Sequence, residues 1–448
     1  MNKFNEFQKV SKTEWIEKIQ TDLKGKELSV LDINDPVEEL TFAGYQHTED
    51  GVNQAFSPGN APYTRGMNLP NNEWNIGVLI RVEDECITNK KALKSLNEGA
   101  DLIVFKSSKE NIEWKSVLEN IQVEFIKVQF VLTDLNDVSI LKELLVKNLE
   151  NIQFNLDFIE KFDRSQLKNC TGFFREKQIP FCSVNGFKVQ QSGANTWQEI
   201  SFCLSKGHEY LVQLMKSGLT IDEASACVSF KIGVGSNYFF ETAKVRALKM
   251  LWAKIISEYN PEHNCSKNIH ITAVVGHMNK SLKDPYTNLL RQTTEAMSAI
   301  NGGIDALVIL PYDDQSITSS SELAERMALN ISSILKEESY LNKVIDPLGG
   351  SYSIEQITVL IANKAWKSFQ ELEALGGIFE NEAKEFFTTK VNEKRELRIQ
   401  RVTSGDQTFI GVNKFMNPDE PNSDWKAQES YLGMTPLIIE QAHKSIIA

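Results

Sequence analysis

The chain has 448 residues, 41% hydrophobic and 24% charged, an ordinary globular composition that fits one large α/β barrel with extensions or two smaller domains. Sixty acidic against 48 basic residues leave a net charge of −12, which argues against nucleic acid as a partner, since phosphate-backbone binding needs clustered Lys and Arg. The first twenty residues, MNKFNEFQKVSKTEWIEKIQ, hold no apolar run of signal-peptide or membrane-span length, so a cytoplasmic protein without membrane contact is expected.

In chain order, SKTE at 11–14 is a capping box for a helix whose apolar face is Trp15, Ile16, Ile19 and Leu23, ended by Gly25. A stretch rich in Gly, Pro and Asn follows (SPGNAPYTRGMNLPNN, 57–72). Short apolar runs then alternate with helical patterns: WNIGVLIRV, DLIVFKSS, EFIKVQFVLTD, QFNLDFIE, IPFCSV, SFKIGV, IHITAVV and IDALVILPYD. About eight strands with intervening helices predict an α/β fold, a (β/α)8 TIM barrel with an N-terminal helical arm and a helical C-terminal extension. NEGADLIVF (97–105) and NGGIDALVIL (301–310) repeat one pattern: Gly at a helix end, an acidic residue, then a buried strand. Bulky strand residues (Leu79, Phe105, Phe130, Phe154, Phe181, Phe230, Ile271, Ile309) predict a barrel axis filled by side chains. The helix at 237–259 carries Val245, Leu248, Trp252, Ile255 and Tyr259 as a core seam rather than a cofactor box. Helical sequence runs to about 400, and MNPDEPNSD (416–424) reads as a linker before a short amphipathic tail. The expected divisions are an arm over 1–65, a barrel over 66–330, a helical extension over 331–415, and a linker and tail over 416–448.

Candidate chemistry is sparse. No phosphate-loop motif is present; IGVGSN (232–237) has only G-x-G. The six cysteines form no C-x-x-C pair, and His263, Cys265, His270 and His277 match no zinc spacing. In DPYTN (284–288), Asp284 is placed as a helix cap with Pro285 at the first helical position. At strand ends, where α/β barrels keep their chemistry, stand Lys188, Asp313 and Asp314. A Lys beside a carboxylate there suits a Schiff-base or general-base pair, whereas an exposed Lys is more often a solvated charge.

Longer motifs carry a resemblance. SGANTWQEISFCLSKGHEYLVQLMKSGLTIDEA (192–224) with AKVRALKMLWAKI (243–255), PYTRG (62–66), SLKDPYTNLLRQTTEAMSAINGG (281–303), VIDPLGGSYSIE (344–355) and IGVNKF (410–415) resemble the barrel of the adenosylcobalamin-dependent methylmalonyl-CoA mutases, in the family's order. The resemblance implies an acyl-CoA along the barrel axis and cobalamin over the barrel's carboxyl end, its cobalt held by a separate domain with a D-x-H-x-x-G motif. None of the six histidines here has Asp two residues before it, and some thirty residues follow IGVNKF, so no cofactor is expected on this chain. Where the family reads G-Y-H-M-Q-E-A-G-A, this chain has Gly186, Phe187, Lys188, Val189, Gln190, Gln191, Ser192, Gly193 and Ala194. The scaffold glycines remain, while the Tyr hydroxyl and the His are lost at Phe187 and Lys188. The stretch after PYTRG, the His-containing stretch at 274–280 and the family's D-E-A at Asp313, Asp314 and Gln315 also depart from the pattern. Radical rearrangement depends on a closed pocket whose groups act together, so several such losses imply a degenerate site.

The resemblance therefore implies the non-catalytic small subunit of a heterodimeric mutase. The large subunit would bind adenosylcobalamin and interconvert methylmalonyl-CoA and succinyl-CoA. Trp15, Ile19 and Leu23 are the candidate contacts to that partner, because the barrel's own helices already cover its outside. The alternative is a catalytic acyl-CoA mutase barrel that borrows cobalamin from a separate carrier chain, with Lys188 binding a different acyl group.

Overall fold

The computed structural model describes residues 8–50, 57–67, 71–145, 149–158, 164–177, 179–316, 321–417, 425–427 and 429–447. Strands β1 (Ile33–Asp35) and β2 (Leu40–Phe42) form an antiparallel hairpin before the barrel. Each of the eight apolar runs is a strand: β3 (Asn75–Val82), β4 (Leu102–Ser107), β5 (Lys127–Val131), β6 (Ile152–Asn155), β7 (Cys182–Asn185), β8 (Val228–Val234), β9 (His270–Val275) and β10 (Ala306–Ile309). They form one parallel sheet in the order β6-β5-β4-β3-β10-β9-β8-β7. The bridge Leu156↔Cys182, with Leu156 N–H donating to Phe181 C=O at 3.1 Å, joins its two edges. The result is an eight-stranded barrel ringed by helices, as the alternation of strand and helix patterns dictates.

The repeated Gly–acid–strand pattern has a structural reason. The Asp101 carboxylate accepts the Ile76 N–H on neighbouring β3 at 2.6 Å, and the Asp305 carboxylate accepts the Ile271 N–H on neighbouring β9 at 2.8 Å. In both units the acid fastens the start of its own strand to the adjacent one, after a glycine with positive φ (Gly99, Gly303) ends the preceding helix.

The barrel core is distributed differently from the sequence expectation. The axis is filled, but of the eight bulky residues named for it only Leu79 packs with the axial cluster of Leu102, Val104, Val274, Ala306, Val308 and Leu310. The other seven belong to the larger core between sheet and helices. Phe130 meets Trp114, Phe154 meets Phe174 and Phe230 meets Trp252, each edge-to-face. Alternation along each strand then puts polar residues on the axis. Gln129 on β5 donates to Thr272 Oγ1 on the diametrically opposite β9 at 3.1 Å, and its Oε1 accepts from Asn155 at 3.2 Å. Gln153 donates to Asn155 at 2.7 Å and to Ser229 on β8 at 2.7 Å. Side-chain amides thus cross the middle of the barrel.

The long family-like motifs are joined as framework. Asp346 of VIDPLGG binds Arg65 of PYTRG at 2.8 Å and Arg246 of AKVRALK, and Arg246 also reaches Glu355 at 2.5 Å. Glu199 accepts the Gly233 N–H at 2.7 Å and pairs with Lys244 at 2.7 Å, with Glu241 on the same ammonium. Burial opposes the charge on Lys244, but the two carboxylates outweigh it and hold the ammonium above its usual range. All three charges are nearly fully buried, so the trio is internal structure.

Two local expectations meet the structure closely, and a third does not. The capping box at Ser11 and Glu14 is formed, and its helix spans Lys12–Asp22. Val245, Leu248, Trp252 and Ile255 lie buried along the helix Tyr238–Glu258, Tyr259 at its end being half-buried, and Asn237 caps that helix, which accounts for the IGVGSN turn. Asp284 differs: the helix begins at Thr287, and Asp284 accepts that residue's side-chain hydroxyl rather than capping with Pro285 as its first residue. The tail helix spans Ile439–Ile447, while most of the 416–424 linker lies outside the described residues.

Candidate functional site at the barrel mouth

The carboxyl ends of β3, β4, β7, β8 and β10 bring several charged groups together. Asn185, the last residue of β7, caps a one-and-a-half-turn helix, Gly186–Gln191, so Lys188 sits on this short helix directly above the strand. Phe187 points back onto the axial cluster and closes the top of the barrel interior, where Gly276 leaves room for its ring. The same short helix is tied to the end of β9: the Gln191 side-chain oxygen accepts the His277 and Met278 N–H groups at 2.8 and 3.2 Å.

The expected Lys–Asp pair does not form. Asp314 is held in a fork by Arg81, at 2.9 and 3.1 Å, and faces His277 Nε2 at 3.4 Å. Burial acts against its charge, but His277 and Arg81 outweigh it and keep the carboxyl well below the usual carboxylate range. Burial in turn pushes the His277 imidazole down, against the pull of Asp314. Asp313 accepts the Ser321 N–H at 3.0 Å, at the start of the next helix. Lys188 instead turns toward Glu429 of the C-terminal segment, 4.0 Å away, and lies 4.9 Å from the centre of the Tyr431 ring.

Two mouth residues went unnoticed in the sequence. Lys106, at the end of β4, approaches the same Glu429 oxygen at 3.7 Å; burial pulls its ammonium down, with Glu429 opposing. Lys231 on β8 shares its register row with Asn185 and Thr272, so it faces the axis above Ser229. It is only 7% exposed, and burial, with Lys106 and Lys188 nearby, brings it down to about 8. The available signal was a lysine inside each of the runs DLIVFKSS and SFKIGV, where a fully buried strand tolerates a charge only for a reason.

The C-terminal segment lies across the mouth. Trp425 bridges Ser316, Lys426 donates to the Gln315 and Asp314 carbonyls at 2.9 Å each, and Leu437 N–H donates to the Gln191 carbonyl at 2.6 Å. Between them the buried Tyr431 hydroxyl accepts from Lys206 at 3.1 Å and donates to Asp157 at 3.2 Å. The remaining chemistry of the site is cationic and closed over. Among the described residues no group of three or more His, Cys, Asp and Glu side chains converges as a metal site.

A sequence profile described as methylmalonyl-CoA mutase matches residues 140–431. The chain belongs to the methylmalonyl-CoA mutase family. A methylmalonyl-CoA mutase small subunit from Porphyromonas gingivalis is 31% identical over 94% of this chain and 72% of its own length. A methylmalonyl-CoA mutase from Cereibacter sphaeroides is 32% identical over 62% of this chain, and a mutase large subunit from Propionibacterium freudenreichii 33% identical over 54%. The chain spans only 38% and 33% of those two relatives. Within this cobalamin-dependent family the chain is a homologue of a small subunit.

Residues 425–427 and 429–437 lie over the mouth, anchored to Gln315, Asp314 and Gln191, and His277 is buried against Asp314. The expected partner contacts are placed on the arm: Trp15, Ile19 and Leu23 are half-buried, and no residue of their helix is fully buried. Trp15 packs on Tyr45 and His47, and Lys12 pairs with Asp50. Val10, Val30, Leu31 and Ile33 nearby are exposed. No described helix is long and apolar enough to cross a membrane.

Proposed function

We propose that this chain is the non-catalytic small subunit of a heterodimeric, adenosylcobalamin-dependent methylmalonyl-CoA mutase, with the cofactor and the isomerisation of methylmalonyl-CoA to succinyl-CoA on the large subunit. The observation that carries this reading is the mouth itself: the C-terminal segment covers it and amides cross the axis below it, so substrate and cobalamin have no common space in which to meet. Phe187 and Lys188 are then remnant positions, and Lys188 is engaged with Glu429 and Tyr431 rather than with a reacting group. The chain's contribution is a folded surface for its partner. The exposed apolar residues Val10, Val30, Leu31 and Ile33, beside the half-buried Trp15, Ile19 and Leu23, supply an unburied face of the kind a subunit interface covers.

The test is to purify the chain alone and with a large subunit, add adenosylcobalamin to each, and assay isomerisation. Activity is expected only when the large subunit is present. Turnover by this chain supplied with an isolated cobalamin-carrier domain would overturn the reading and establish the borrowed-cofactor enzyme.

A further inference from the structure

Lys106, Lys188 and Lys231 come from three different elements and meet at one place in the mouth. Lys106 and Lys188 both point at Oε2 of Glu429. Lys231 is more than nine-tenths buried, faces the axis beneath them, and makes no hydrogen bond or ion pair with the described residues. A buried ammonium without a partner is costly, and two further ammonium groups nearby raise the cost. One half-exposed carboxylate, Glu429, faces Lys106 and Lys188, and among the described residues no carboxylate pairs with Lys231. Structural lysines elsewhere in this protein are satisfied: Lys244 has two carboxylates, Lys280 a bidentate Glu295, and Lys206 both Asp157 and Tyr431.

We propose that Lys106, Lys188 and Lys231 form a binding site for a small oxyanion carrying two or more negative charges, and that Glu429 is the internal counter-ion such a ligand displaces. The compact, rotatable ammonium groups suit a tetrahedral phosphate or a short dicarboxylate better than a planar fork would. Charge-assisted hydrogen bonds to a desolvated lysine supply the affinity, and a bound anion offsets the cost that burial places on the Lys231 charge. The site holds irrespective of which subunit carries the isomerisation.

Calorimetric titration of the full chain with inorganic phosphate, pyrophosphate and malonate, against sodium chloride at equal ionic strength, tests this. Saturable binding of one anion per chain is expected, with the phosphorus and carbon oxyanions compared directly to assign the ligand class. Lys231→Met and Lys106→Met should weaken it about tenfold or more, while Lys390→Ala, a remote surface control, should leave it unchanged. Glu429→Gln should tighten binding. Absence of binding above the chloride control, or equal affinity in Lys231→Met and Lys106→Met, overturns the site. Unchanged affinity in Glu429→Gln overturns the displacement even if a lysine variant fails to fold.

Discussion

Lys188 and Lys231 stand a few residues from each other in space and carry opposite expectations. Lys188 is a quarter exposed and partnered by Glu429 and Tyr431, so under the proposed function removing it should leave the isomerisation nearly untouched. In the assembled heterodimer, at a fixed saturating subunit ratio, Lys188→Ala should change turnover less than roughly threefold, under about 0.7 kcal/mol. A loss on the order of a hundredfold with assembly intact would mark Lys188 as a working acid or anchor instead. Lys231 should show itself in stability. Its folded pKa, lowered to about 8 from 10.5, means the unfolded chain holds the extra proton between those values. Stability contributed by this group is therefore full above pH 10.5 and lost as pH falls toward 8. Below pH 8 the buried charge costs on the order of 3 kcal/mol. Lys231→Met should be more stable than wild type at pH 7, and the gap should close by pH 10.5, as denaturant melts at the two pH values would reveal. This expectation fails if the two proteins keep a constant difference across that range.

At the scale of elements, the arm and the Asp346 junction separate assembly from folding. The helix Lys12–Asp22 buries none of its residues, so deleting residues 1–30 should move the thermal midpoint of the isolated chain little while weakening affinity for a large subunit. Unchanged affinity in a binding titration would remove the arm from the interface. Asp346 is the reverse case. It joins Arg65 and Arg246 from distant parts of the chain, and Asp346→Ala leaves the nearly fully buried Arg246 with only Glu355. Breaking a buried pair in this way costs about 3–5 kcal/mol, measurable by urea unfolding. The strands themselves were legible because each is a short apolar run between helical patterns. Their faces were not. KVQFV and IQFN do alternate polar and apolar residues, but in a parallel barrel whose two strand faces are both covered the alternation does not say which set turns to the axis. Lys106 and Lys231 were concealed for the same reason. The covering of the mouth was illegible for another: Glu429 meets Lys106 and Lys188 across hundreds of residues, and no local pattern encodes that approach.

For the molecule as a whole, the amides on the barrel axis bear on how the chain reaches its structure. The first and last barrel strands, β3 and β10, pair directly although more than two hundred residues separate them, so closure comes late and many pairings compete before it. A slip of one residue on β5 would turn Gln129 into the apolar layer under the helices and bring Phe130 onto the axis. An apolar axis would tolerate that error, since hydrophobic contact has no direction. The Gln129–Thr272 and Gln153–Ser229 bonds do not, because a displaced amide finds no partner and each buried orphan costs about 1–3 kcal/mol. The polar axis acts as a proofreading layer for strand register. Replacing Gln129, Gln153 and Asn155 together by leucine should leave equilibrium stability nearly unchanged or raised, yet split refolding into several phases as misregistered barrels accumulate. Single-phase refolding of that triple variant, followed by stopped-flow fluorescence, would show that register is set elsewhere. On this account the barrel keeps polar side chains on its axis because the same amides select one closed ring among many.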